Sequence, residues 1–318
     1  IDCTGDGMVA EYAGVPWEQG ADGRNYAMAA TMVLCLGNVV KGSGPSSEEE
    51  LQEVREAWRA AVNHREFSSP IVTSGRILNY INKNRIGWYL PRQRNELLLV
   101  VSRILRVDPL DPEEITRAER EGRLQAWEIA DFYRRYVPGC QNSYLAHTAA
   151  HVGVRSTRRI KGLATATAED ARSFLKYPDG IARASWDLDV WPPDSYTALA
   201  VDTQSIETLE RRKKLEKGEY FDIRYGCIVA EGIDNFLMAG KIVSSEHLAQ
   251  SSFRIQQTCM ATGEAASTAA ALSLVKGMTP RELDGTEVSR IGHEEWAKKK
   301  PAFRLIQEAW DRVSGNSR

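Results

Sequence analysis

The chain has 318 residues and a formal net charge of −2. Acids and bases are interspersed, which excludes the concentrated basic surface of a nucleic-acid binder. No apolar run approaches the roughly 20 residues that span a bilayer, so no membrane segment is expected, and a soluble chain, with the cytoplasm the favoured compartment, is the expectation. Five cysteines (Cys3, Cys35, Cys140, Cys227, Cys259) are odd in number and lack C-x-x-C or zinc spacing. They read as reduced, mostly buried thiols rather than a disulfide framework or a metal site.

The chain opens on "IDCTGDGMVAEYAG". Gly5-x-Gly7-x-x-Ala10 satisfies the relaxed dinucleotide fingerprint, in which glycines let the backbone approach a pyrophosphate at a helix N-terminus. The context argues against an ADP site. Asp6 puts a carboxylate inside the turn, the helix spans only Met8 to Tyr12 before Gly14 and Pro16, and no second strand ending in an acid follows. The start on Ile1, as if late in a buried strand, suggests that a preceding portion is missing.

Further along, "AMAATMVLCLGNVV" (Ala27 to Val40) reads as a strand entering a second domain. Ser47 caps a helix from about Glu48 to His64, with Glu48 to Glu50 favouring its N-terminal dipole. "NRIGWYLPRQRN" reads as strand and turn near a substrate cleft. Asp111 caps a long helix with Pro112 at its first position and Glu114 three residues on. Ile115, Ala118, Leu124, Trp127, Ile129, Ala130 and Phe132 approximate one apolar face of it. His147 and His151, four apart, would share a face if helical, yet no acid or thiol nearby completes a metal set. "RRKKLEKGE" (Arg211 to Glu219) is a charged surface loop or helix end. From Phe221 the pattern turns to strand ("FDIRYGCIVAEG"), a turn at Ile233 to Asn235, and a second strand "FLMAGK". A helix of small residues runs from Arg254–Gln257 to about Leu274 and suits close packing on a sheet or ligand.

Four stretches together resemble the FAD-dependent oxidoreductase family of two-dinucleotide-fold flavoproteins, the superfamily of glutathione reductase and fumarate reductase. These are "IDCTGDGMVAEYAGVPWE", "GVRSTRRIKGLATATAEDA" (Gly153 to Ala171), "PDGIARASWDLDV" (Pro178 to Val190) and the long ordered match from Tyr225 to Leu274. The resemblance implies an α/β chain: an incomplete FAD/NAD(P)-binding Rossmann-like domain with an inserted α+β substrate domain. The opening segment would finish the Rossmann domain rather than begin it. The implied layout is the end of the FAD domain at 1–20, a substrate or cap domain at 21–226, the FAD-domain strand and helix at 227–280, and a helical tail at 281–318.

The same resemblance implies FAD as cofactor, contacted by Thr4, Gly5, Asp6, Gly240, Lys241, Gln250, Ser251, Arg254, Met260 and Gly263. Lys241 stands where the family usually has Arg, keeping the charge but losing the planar fork. Asp6 is open to two readings, a turn residue or a direct contact. Arg155, Arg158 and Arg159 form a basic cluster suited either to a substrate oxyanion, with Arg158 in the catalytic set, or to interdomain salt bridges. His247 is placed to accept a proton during hydride removal, or to serve as a structural hydrogen-bonder. Tyr225 lines the cleft or packs. The expected reaction is hydride transfer between a small polar substrate and flavin. The expected partner is the N-terminal FAD-binding portion, in cis or as a separate chain, and a homo-oligomer is left open. The competing class is a non-catalytic binding or scaffold subunit.

Overall fold

The computed structural model describes residues 1–21, 24–89, 95–197, 206–292 and 294. Contacts divide the chain into one unit of residues 1–25, 156–191 and 200–318, and another of residues 26–155 and 192–199.

The first unit is discontinuous, and its core explains why. Ala10 and Val15 from the opening segment pack in one cluster with Ile160, Ala171, Phe221, Ile223, Met238, Ile242, Phe253 and Ala266. Residues 156–191 therefore rejoin this unit, well before the return after 226 that the resemblance suggests. Its sheets are small and antiparallel. Trp17–Glu18 pairs with Arg159–Ile160, and Gly180–Ala184 with Phe221–Arg224 across an irregularity between Gly180 and Ala182. Among the described residues, parallel pairing is limited to single bridges at Asp2–Met238 and Ala166–Ser245. The architecture is thus mixed helix and short strand, consistent with α/β.

The strand expected from Phe221 ends at Arg224 in a 3₁₀ turn, Tyr225–Cys227. "FLMAGK" holds only bridge residues at Leu237 and Met238 before another 3₁₀ turn at Gly240–Ile242. The expected helix of small residues is Gln256–Lys276, and a short helix that the sequence leaves unassigned, His247–Phe253, precedes it. Arg254 ends the short helix, and Ile255, in extended backbone, precedes the first turn of the long one. Gly277, with φ 65°, closes the long one in the left-handed region that glycine adopts without strain.

The second unit carries a four-stranded antiparallel sheet in the order Trp88–Tyr89, Glu96–Leu99, Leu34–Gly37, Tyr144–Thr148. Only Leu34–Gly37 of the expected Ala27–Val40 strand joins it. Ser47 caps Glu48–Asn63 by accepting from the Glu50 amide, and Asp111 caps Pro112–Tyr136 by accepting from the Glu113 amide. The long helix buries Ala118, Gln125, Ala126, Ile129, Phe132 and Tyr133. Leu124 and Trp127 do not share that face; they stand outward. At 100° per residue they fall nearly half a turn from Ile129. His147 lies in the Tyr144–Thr148 strand, so its spacing to His151 is not a helical one. In the first unit, the stretch from Arg211 expected as a charged surface loop or helix end is the latter half of the Ile206–Glu216 helix, and Arg211 itself is buried rather than at the surface. The five cysteines are free, with Cys35, Cys140 and Cys227 buried. Among the described residues no helix is long and apolar enough to cross a membrane. Leu90 to Arg94 of the expected strand-and-turn, and most of the 281–318 tail, lie outside the described residues.

In the first unit, Gly162 marks a backbone-to-backbone approach. The Leu163 and Ala164 amides donate to the Val229 and Gly226 carbonyls at 3.0 and 3.1 Å. A Cβ on Gly162 would stand 2.7 Å from the Gly226 oxygen. Gly162→Ala is expected to destabilise the chain by about 1–3 kcal/mol, read as a lower urea midpoint with unchanged slope.

Candidate functional site

The site grows from the buried Asp2 carboxylate. Its Oδ1 accepts from the Thr4 amide at 2.9 Å and the Thr4 hydroxyl at 2.7 Å. Its Oδ2 accepts from the Ala10 amide at 2.9 Å. The Thr4 hydroxyl in turn accepts from the Met8 amide at 3.0 Å. Gly5 and Gly7 take φ of 79° and 69°, which is why the turn reads T-G-D-G. A Cβ on Gly7 would meet Ile160 Cδ1 at 2.7 Å. The backbone of Asp2 pairs with the far end of the unit, its amide donating to Leu237 O at 2.8 Å and its carbonyl accepting from Ala239 at 3.0 Å.

That pairing carries the chain into Gly240, whose φ is 87°. The Gly240 amide donates to Thr262 Oγ1 at 2.9 Å, and that hydroxyl donates to Cys259 O at 2.7 Å. The Lys241 ammonium then reaches the opening turn. It donates to the Gly5 carbonyl, to Asp6 Oδ1 at 2.9 Å and to Thr157 Oγ1 at 3.2 Å. Asp6 is therefore an ion-pair partner of Lys241 within the turn. Gln250 Nε2 donates to the Lys241 carbonyl at 2.8 Å. This fixes the amide's orientation, since the reverse would set two oxygens together. Gln250 is fully buried and its Oε1 has no partner among the described residues.

The remaining expected residues fall in several places. The buried Ser251 hydroxyl donates to Leu248 O at 2.7 Å. Arg254 donates to Asp189 O and Oδ2, both at 3.0 Å, and its buried Nε has no partner among the described residues. Desolvation draws the Arg254 guanidinium below its usual pKa. The Gln256–Lys276 helix starts with no side-chain cap, so its first-turn amides carry the positive end of the helix dipole uncapped. Met260 on this helix is 70% exposed, while a Cβ on Gly263 or Gly240 would meet open space.

The three arginines separate. Arg155 belongs to the second unit, where its guanidinium donates to Ala29 O. Arg158 donates to Asp6 O at 2.9 Å, pairs with Glu11 and lies 4.9 Å from the Trp17 ring centre. Arg159 is buried and donates to Ser245 O at 3.0 Å and Gly20 O at 2.9 Å, with Glu18 at 3.7 Å. Desolvation pulls its pKa down. Glu18 is held below the usual carboxylate range mainly by its hydrogen bond from Lys161. Tyr225 is buried, and its hydroxyl donates to Pro280 O at 2.7 Å. His247 is half-buried at the first position of the His247–Phe253 helix, one turn before Gln250.

The structure thus brings Thr4, Gly5, Asp6, Gly240, Lys241, Gln250 and Arg158 into one connected network. Asp2, Thr157 and Thr262 belong to it and escaped the sequence reading. For Asp2 the available signal was its place two residues before Thr4, the spacing of a side chain that caps the following turn. Compared with known proteins, the chain matches the family model of FAD dependent oxidoreductases over residues 1–291. No curated protein and no solved structure matches it.

Asp2→Asn replaces one acceptor oxygen with a donor facing a donor, and is expected to cost about 2–3 kcal/mol in chemical denaturation. Tyr225 gives a pH signature. Burial pushes its phenol from 10.0 to about 12. The folded state therefore holds the proton more tightly, so this contribution to stability is intact below pH 10 and lost as pH rises toward 12. Tyr225→Phe should remove that share of the alkaline loss, seen as a shallower fall of Tm with pH than in the parent chain.

Proposed function

Because the chain belongs to the FAD dependent oxidoreductase family, with FAD as its cofactor, we propose that the first unit cradles the flavin half of FAD. In this reading it serves hydride transfer between flavin and a small polar organic substrate. The carrying observation is the Lys241 ammonium, which ties the Gly5–Asp6 turn to the Gly240 turn across the Asp2–Met238 pairing. Two segments from opposite ends of the matched region form one place. The residues there fit the group. Gln250 Oε1 is a buried acceptor awaiting an N–H, Gly240 and Gly263 leave room for close backbone approach, and an uncapped 21-residue helix begins beside them in sequence. The adenosine half would be held by a further portion bearing the glycine fingerprint, in the same polypeptide or a separate chain.

When bound, FAD supplies the acceptor or donor for an electron pair moving with a proton. The chain's own residues set the conditions. Lys241 neutralises Asp6, so an anionic group entering the turn does not meet a bare carboxylate. The first-turn amides at Gln256 and Gln257 would offer partial positive charge to a reduced, negatively charged flavin held beside them. Arg158 acts as a positioning residue, locking the Asp6 carbonyl to the Met8–Tyr12 helix through Glu11. His247 takes or returns the substrate proton at its imidazole. Arg155, Arg159 and Tyr225 spend their donors on backbone carbonyls and act as framework.

The test is a titration of the purified chain with FAD, followed by the visible absorption shift and by flavin retained after desalting. The expected result is binding that Lys241→Met weakens about tenfold or more, the scale of one charge-assisted hydrogen bond. Equal retention by the variant and its parent removes Lys241 from the cradle. No binding at any FAD concentration overturns the reading.

A further inference from the structure

The outer face of the Pro112–Tyr136 helix has no role in the flavin reading and carries a pattern of its own. Leu124 is 65% exposed and Trp127 is 67% exposed, although the helix otherwise turns its large apolar side chains inward. They form the middle of an outward stripe, Arg120, Leu124, Trp127, Asp131, whose alternating four- and three-residue spacing keeps it straight enough to meet a second helix along its length. Single exposed apolar residues are ordinary on surfaces. An adjacent Leu–Trp pair bracketed by opposite charges is a small interface core with a polar rim, and tryptophan is among the residues that dominate such cores.

We infer that this face docks on the same helix of a second copy of this chain, antiparallel, about a two-fold axis through the point between Gln125 and Ala126. A closed two-fold contact must be self-complementary, and this stripe is. The axis sets each residue opposite the one equally far on the other side. Leu124 then faces Trp127 of the second copy, and Arg120 faces its Asp131, each contact occurring twice. Arg120 has no ion-pair partner among the described residues. Asp131 accepts from Arg134 and Arg135 of its own helix, and its carboxylate keeps lone pairs for a further donor. Toward the ends, Arg134 comes opposite Arg117, whose charge Glu114 and Glu121 already answer at 2.7 and 3.0 Å. A parallel arrangement would set like charges at equal heights and loses this match.

One helix pair buries less than the roughly 1,200–2,000 Å² of a standard stable interface. The dimer is therefore weak and concentration-dependent, with the charges fixing register more than affinity. Sedimentation equilibrium on the full chain, from about 1 µM to about 1 mM, reads it directly. The expected mass rises from 35.5 kDa toward twice that value, and less steeply in high salt. Trp127→Glu is expected to hold the chain at the monomer mass. R120D and D131R are each expected to associate at least tenfold more weakly than the parent chain. Equimolar mixing of the two restores pairing, because one copy then presents only acids at the rim and the other only bases. That mixture also guards against misfolding, since unfolded variants would not rescue each other. A parent chain that stays monomeric throughout overturns the inference, as does association unaffected by Trp127→Glu or a mixture no better than its components. None of these outcomes depends on flavin binding.

Discussion

The first unit depends on one carboxylate. Asp2 is fully buried, and its side chain satisfies amides and a hydroxyl of the turn that follows while its backbone pairs with residues 237–239. A buried acceptor of this kind is expensive to strand and strongly specifying when every oxygen is used. The geometry of Gly5, the reach of Lys241 and the placement of Gly240 all follow from where Asp2 holds the chain. Thr4 and Asp6 look like the functional letters of the T-G-D-G turn, but the residue that makes it a turn precedes them.

Buried cations in this unit follow a consistent rule. Arg159, Arg211 and Arg254 are largely buried, and each directs donors at main-chain carbonyls as well as a carboxylate. A guanidinium has five donors in a fixed plane, so one acid does not satisfy it, and main-chain carbonyls of loops and of a short helix take the rest. This explains why a basic triplet such as R-x-x-R-R is ambiguous in sequence: the same forks that grip an oxyanion serve to tie irregular backbone together.

What was legible in the sequence was local. Ser47 and Asp111 announce their helices because capping is settled within four residues. The opening segment, Gly240 and Lys241 were legible through a pattern spread over the whole chain, and they do converge. What stayed hidden depended on contacts between distant segments. Leu124 and Trp127 look like core in a list of apolar positions, and only the angular position of the sheet shows them facing out. The short His247–Phe253 helix has no side-chain cap, glycine or proline to mark it, and went unread. The early return of residues 156–191 to the first unit rests on Ile160 and Ala171 reaching the same core as Ala10, which no spacing encodes.

The long reach of the Lys241 contacts, 235 and 236 residues in sequence to Asp6 and Gly5, has a consequence for the order of events at the ribosome. The opening turn is made before the Gly240 segment, and it gains partners first from Thr157 and Arg158 and only later from Lys241. The second unit is nearly continuous, from Tyr26 to Arg155, with its own sheet, helices and core, and can close while synthesis continues. Once folded it shortens the effective loop that the two halves of the first unit must close, and the entropy of that closure grows only with the logarithm of loop length. The first unit therefore completes its core only after residues 237–266 have been made, and its closure is the high-contact-order part of folding.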